Sequence, residues 1–189
     1  MAATCPASVR GRRDKTVVLL GFALGARRHE LAFLLLASVR FEDERGMVVT
    51  VVVSKTGPRE VAVPYGENPD TCPVRAVKAW IADLETAGAA DPGLPLFRSL
   101  HASGSIIGGV TPETDGDRIT AAGQRAGVAV RFTGHSVRSG LVTAARRAGK
   151  DAKAISATTG HRPNSSVLHG YMQTEDRWHE KDNALVGLL

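Results

Sequence analysis

The stretch TGHSVRSGLVTAARRAGKDAKAISATTGHRPNSSVLHGYM, residues 133–172, sets the reading of the whole chain. Its glycines and capping residues divide it into helices. One runs from Ser136 to Ala148 and is closed by Gly149. Asp151 caps a second, short one that Gly160 closes, and Asn164 or Ser165 caps the segment leading to Tyr171. His135 and Arg138 stand three apart at the first helix start, His161 follows Gly160, and Tyr171 comes ten residues after His161. Two histidines, an arginine and a tyrosine are the side chains needed to attack a phosphodiester without a metal. They offer donors for the non-bridging oxygens, a nucleophile and groups that move protons.

Working upstream, TPETDGDRITAAGQRAG (residues 111–127) reads as a helix with Thr111-Pro112 at its start and Gly127 at its end. Residues 99–110 are rich in Gly and Ser and read as a mobile loop, with LPLF (residues 94–97) as a short extended piece. PVRAVKAWIADLETAG (residues 73–88) has apolar residues at helical spacing behind Pro73. Before it the period changes to two. VRF, GMVVTVVVSKT and REVAVP are β-branched runs separated by charged or Gly-Pro turns, which predicts a three-stranded antiparallel sheet with Lys55 at a hairpin tip. Further upstream, Asp14 is placed to cap a buried helix through KTVVLLGFALG. A second helix is expected to carry ARRHELAFLLLASV (residues 26–39), with Leu31, Phe33, Leu34 and Leu35 deeply buried and Arg27 one turn from Glu30. Residues 1–12 read as a frayed lead-in. Downstream, residues 176–189 read as a last amphipathic helix containing Trp178. The expected class is α+β, mainly helical, a small three-stranded antiparallel sheet packed against a helical bundle.

Composition narrows the functional classes. With 189 residues and 43% apolar content the chain is one large domain or two small ones with a real core. The net charge of +5 is mildly basic and suits a polyanionic partner. Cys5 and Cys72 stand far apart and outside any CxxC pattern, so neither a disulfide framework nor a zinc site is expected, and the chain reads as reduced, intracellular and cytoplasmic. The longest apolar runs, near residues 17–24 and 31–38, are too short to span a bilayer, and the polar, Arg-rich start has no signal-peptide core. No acidic cluster of the kind that holds Mg²⁺ and no GxxxxGK loop is present, so no metal and no nucleotide cofactor is expected.

GARRHEL around Arg27, SKT with Lys55, GHSVRSG with His135 and Arg138, TGH with His161 and GYM with Tyr171 occur in one order along the chain. In that order the chain resembles the catalytic domain of the tyrosine recombinases, the phage integrase family, over nearly its whole length from about Arg12. The resemblance implies a catalytic domain over residues 13–189 and roles for six residues. Arg27 and Arg138 would hold the non-bridging oxygens, Lys55 would protonate the leaving 5′ oxygen, and His135 would move a proton or hold the phosphate. His161 would donate a hydrogen bond to the phosphate, and Tyr171 would form the 3′-phosphotyrosyl bond. Glu30 would support Arg27. It further implies double-stranded DNA as partner, four protomers on two duplexes, and docking of the tail (Trp178 and residues 184–189) on a neighbour. Arg146, Arg147, Lys150 and Lys153 are candidates for contact with the DNA backbone.

The chain departs from the family pattern at His29, where a small or apolar residue is usual, and in the His161 to Tyr171 spacing, which is one residue longer. The N-terminal helical domain that usually clamps DNA from the other side is expected to be absent. Three rival readings are a non-catalytic DNA-binding remnant, a type IB topoisomerase and a metal-dependent nuclease. The short chain opposes the second and the lack of clustered carboxylates opposes the third.

Overall fold

Ser8, rather than Asp14, starts the first helix. The Ser8 hydroxyl accepts from the Gly11 amide at 3.1 Å and α1 runs Val9–Ala23. Gly11 is required there, because a Cβ would lie 1.9 Å from the Pro6 carbonyl oxygen. Residues 1–12, expected to fray, are instead held in place. They form a 3₁₀ turn at Ala2–Thr4, with Ala2 buried, and Arg12 makes a bidentate bond to Asp83 with both N–O distances at 2.7 Å. Asp14 lies inside the helix, paired with Arg13 at 2.7 Å and facing Arg118. The computed structural model describes residues 1–176 apart from Thr56, Arg131, Pro163 and Asn164, together with Leu185. The expected tail helix therefore lies outside the described residues apart from Asp176 and Leu185.

Helix α1 is the hub of the molecule. Val17, Leu20 and Leu24 are fully buried, and the helix packs against three others: α3 (Pro73–Thr86), α4 (Pro112–Arg125) and α5 (Ser136–Arg147). It ends in a Schellman turn at Gly25, whose φ is +52°. The Ala26 amide bonds to the Gly21 carbonyl and the Gly25 amide to the Phe22 carbonyl. That turn leaves the Gly25 carbonyl free to face inward.

The second helix is much shorter than its sequence suggests. Helix α2 covers only Arg28–Ala32. Beyond it the LLL run leaves the helix to bond with residues 94–96. Leu96 N donates to Leu34 O at 2.7 Å, and Leu36 N donates to Leu94 O at 3.0 Å. Leu31, inside α2, and Leu34, just past its end, are buried, while Phe33 at the C-cap and the extended Leu35, both expected inside, are 56% and 39% exposed.

The three-stranded sheet is present as expected: β1 (Val39–Glu42), β2 (Gly46–Val51) and β3 (Arg59–Pro64), antiparallel in the order β1-β2-β3. Val49 pairs with Val39 on one side and Val61 on the other. Met47, Val49, Val51, Val61 and Val63 point into the main core, where α3 contributes Val74, Val77, Trp80 and Leu84 at helical spacing. The region expected to be a mobile loop forms a hairpin of β4 (Arg98–Leu100) and β5 (Ile106–Gly109).

The C-terminal part builds a second, smaller core. Val142 of α5, Ile155 of α6 (Ala152–Thr159), and Leu168 and Met172 of α7 (Ser166–Asp176) form it, with Tyr171 packed at its edge. This satellite core fixes α7, and with it Tyr171, against α5. The molecule is thus α+β and mainly helical. Among the described residues no helix is long and apolar enough to cross a membrane.

Candidate active site

Arg27 occupies the cap position of α2, where a cation meets the positive end of the helix dipole. Glu30 offsets this. Its carboxylate accepts from the Arg27 amide at 3.0 Å and from Arg27 Nη1 at 2.8 Å, the returning half of a capping box. A third donor, Arg59 Nη2, reaches the same carboxylate at 2.9 Å. Burial pushes the Glu30 carboxyl up, but the bonds from Arg59 and Arg27 outweigh it and hold it at about 2. Glu30 is 1% exposed, so this carboxylate is a fixed, buried counter-charge that orients two guanidiniums.

Arg138 enters from the first turn of α5 and is 1% exposed. Its Nη1 donates to the Gly25 carbonyl at 2.6 Å and to the Thr159 carbonyl at 2.5 Å. Both acceptors sit at helix C-termini, where exposed carbonyls favour a cation. Burial, with Arg27 and Arg59 nearby, lowers its pKa to about 10, so it stays charged at neutral pH. Nη2 is buried with no partner among the described residues. A buried guanidinium with an unused donor is able to receive an anion.

The histidines approach from two helix ends. Gly160, with φ +66°, closes α6 and directs the chain so that His161 Nδ1 lies 2.7 Å from Thr159 Oγ1. Burial, then Arg138 and Arg27, lowers His161 to about 4. His135 stands at the cap of α5, and its Nε2 lies 2.6 Å from the Tyr171 hydroxyl. Burial, then Arg138 and Arg27, lowers His135 as well, which leaves a neutral ring able to accept the phenolic proton. Lys55 is exposed at the β2–β3 turn, on the wall of a cavity of about 360 Å³ that Arg27, Arg28, His29, Thr133, Gly134 and His135 also line.

Arg27 is thereby joined to Glu30, Arg138 and His161 meet at Thr159, Tyr171 is joined to His135, and Lys55 shares a cavity with Arg27 and His135. Arg146 and Arg147 lie in the last turn of α5, and Lys150 and Lys153 are exposed at the start of α6. None of these four lines that cavity among the described residues. Two participants escape a sequence reading. Arg59 looks like a hairpin arginine, yet its Nε also donates to the Thr158 carbonyl at 3.1 Å. The alternation of REVAVP was the available signal, because Arg59 shares a face with the buried Val61 and Val63. Thr159 carried no signal beyond its place before Gly160. Among the described residues no group of three or more His, Cys, Asp or Glu is placed to hold a metal.

Comparison with known proteins places the chain in a family. The profile of the phage integrase family matches residues 1–177. A curated relative, the integrase/recombinase xerD homolog of Selenomonas ruminantium, is 31% identical over 183 residues, 93% of this chain and 50% of the relative. The chain thus spans about half the length of that relative. Among solved structures, XerH recombinase in a post-cleavage complex with palindromic difH substrate superposes with a TM-score of 0.70 at 14% identity, over 93% of this chain and 46% of that one. XerA recombinase superposes with a TM-score of 0.61 at 20% identity, over 89% and 59%. A λ integrase dimer on a COC′ core site gives 0.57 at 15%, over 90% and 55%. These likenesses concern the fold.

Proposed function

The chain belongs to the phage integrase family, and from that premise we propose that it is the catalytic domain of a tyrosine-type site-specific recombinase acting on duplex DNA. The Tyr171 hydroxyl attacks the scissile phosphorus and its proton passes to His135 Nε2. The new bond joins phosphorus to the tyrosine oxygen, and the bond to the 5′ oxygen breaks. Lys55 supplies the proton that this oxygen takes up. Arg27 and the unused Nη2 of Arg138 hold the non-bridging oxygens, whose charge grows in the five-coordinate transition state. The phosphotyrosyl bond retains the phosphodiester's free energy, so a 5′ hydroxyl can reverse the sequence and reseal the strand without a nucleotide cofactor.

The observation that carries this reading is the 2.6 Å contact of His135 Nε2 with the Tyr171 hydroxyl, 36 residues apart and beside a buried arginine with a free donor. A phenol ionises little at neutral pH, so a positioned acceptor is what the nucleophile needs. Proteins of this fold were solved on a difH substrate, on a COC′ core site and, for the Tn1549 transposon integrase, in complex with transposon right end DNA, which supports DNA as the partner. Assembly of four protomers on two duplexes, with residues 184–189 docking on a neighbour, completes the proposal. Incubation with nicked duplexes that trap the covalent intermediate tests it. The wild type is expected to form a denaturation-resistant DNA adduct, unaffected by EDTA, and Tyr171→Phe none. Adduct persisting in Tyr171→Phe, or lost on chelation, refutes the assignment. Retained DNA binding without adduct would mark a non-catalytic remnant.

A further inference from the structure

Thr159 is fully buried and its hydroxyl has a single proton to give. Its Oγ1 lies 2.7 Å from the Ile155 carbonyl oxygen and 2.7 Å from His161 Nδ1. Two oxygens this close repel unless a proton lies between them, and the carbonyl has none. The Thr159 proton therefore goes to Ile155, and the proton in the contact with His161 must sit on Nδ1. A neutral imidazole has only one N–H, so Nε2 is left as a lone pair. A lone pair repels a phosphate oxygen. The phosphate-binding role assigned to His161 needs a donor instead.

We propose that the Thr159 hydroxyl is a positioning device that fixes His161 as its Nδ1–H tautomer, so that the ring engages a phosphodiester only by taking up a proton. The surroundings fit such a gate. Arg27 at the cap of α2, Arg59 of β3, His135 at the cap of α5 and Arg138 within it lie around the ring, and burial together with these groups keeps it neutral. The Glu30 carboxylate is bonded to Arg27 and Arg59 and so is already shared between them, and Tyr171 is joined to His135. A phosphodiester brings the uncompensated negative charge that reverses the balance. The balance of the step is simple: the ring gains one proton from solvent, no bond to carbon or phosphorus changes, and Nε2–H then donates to the oxygen.

Proton uptake on binding has a definite sign. The ring's pKa is higher in the complex than in the free protein, so affinity for DNA rises as pH falls between the two values, by up to about tenfold per pH unit. The uptake rests on the phosphodiester reading above, whereas the tautomer does not. Nitrogen-15 NMR of histidine-labelled full chain at neutral pH, with His161 assigned by its loss in His161→Gln, reads the tautomer in the absence of DNA. Wild type and Thr159→Ser are expected to show Nδ1–H with bare Nε2, and Thr159→Val to shift toward Nε2–H. A bare Nδ1 in the wild type overturns the proposal. Binding of a nicked duplex measured across pH is expected to show the slope in wild type, and to lose most of it in both His161→Gln and Thr159→Val. A wild-type slope equal to that of His161→Gln overturns the uptake. Failure to form adduct alongside the expected tautomer would count against the recombinase reading alone.

Discussion

Replacing Arg59 with Met is the most informative single perturbation of the buried charge behind the site. Glu30 is 1% exposed and depends on two guanidiniums. Its pKa falls from 4.5 to about 2, and at about 1.4 kcal/mol per pH unit this corresponds to about 3 kcal/mol of stabilisation. The sign follows from the folded value lying below the unfolded one: the contribution is complete above about pH 4.5 and is lost as pH falls through about 2. Arg59→Met leaves the carboxylate with Arg27 alone, while burial continues to push it up. Removing one partner of a buried pair costs about 3–5 kcal/mol, and retention of Arg27 keeps the loss near 3. For a chain of this length that is a fall of roughly 6–12 °C in melting temperature. Far-UV circular dichroism in urea at pH 7 measures it. Repeating the series toward acid should show the loss of stability beginning at a higher pH in the variant. Adding Glu30→Met removes the stranded charge and should restore most of the loss. A single variant within about 0.5 kcal/mol of wild type, or a double variant no more stable than the single, refutes the counter-charge argument.

Three further outcomes are expected. Gly160→Ala forces a side chain onto a φ of +66° and within 3.1 Å of the Arg59 guanidinium. It should cost about 1–3 kcal/mol in thermal melting and slow adduct formation by displacing His161. His135→Gln removes the ring nitrogen 2.6 Å from the Tyr171 hydroxyl, the proton acceptor of the proposed reaction. Single-turnover cleavage should slow by about 10²–10⁴-fold with little change in DNA affinity by band shift. Trp80→Ala empties a fully buried site and strands the Leu96 carbonyl that accepts from Trp80 Nε1 at 2.8 Å. Urea titration should show a loss of about 3–5 kcal/mol.

The stretch 133–172 was legible because its signals are local. Asp151, Gly149 and Gly160 cap and close helices through bonds spanning three to five residues, and they do so here. The β-branched runs of β1 to β3 and the Pro73 and Thr111-Pro112 starts worked for the same reason. Misreadings arose where distant segments competed with local preference. The LLL run has helical composition, yet residues 94–96 offered it backbone partners and ended α2 at Ala32. The Gly- and Ser-rich stretch paired with itself as β4 and β5, and Ser8 out-competed Asp14 as a cap once the chain folded back at Pro6.

The same division applies to the site. Which side chains could do phosphoryl transfer is written in residue type and short spacing, since an HxxR turn and a glycine-closed helix followed by histidine place their own side chains. Which of them meet is not. Arg138 is held by carbonyls 113 and 21 residues away, and Arg59 joins Glu30 to Thr158 across 29 and 99 residues. Those bonds exist only because α1 turns sharply at Gly25 and the satellite core seats α6 and α7 against α5. Charge, donor count and helix punctuation are properties of the chain, whereas burial and the direction of an unused donor belong to the folded molecule, where distant carbonyls and carboxylates replace water.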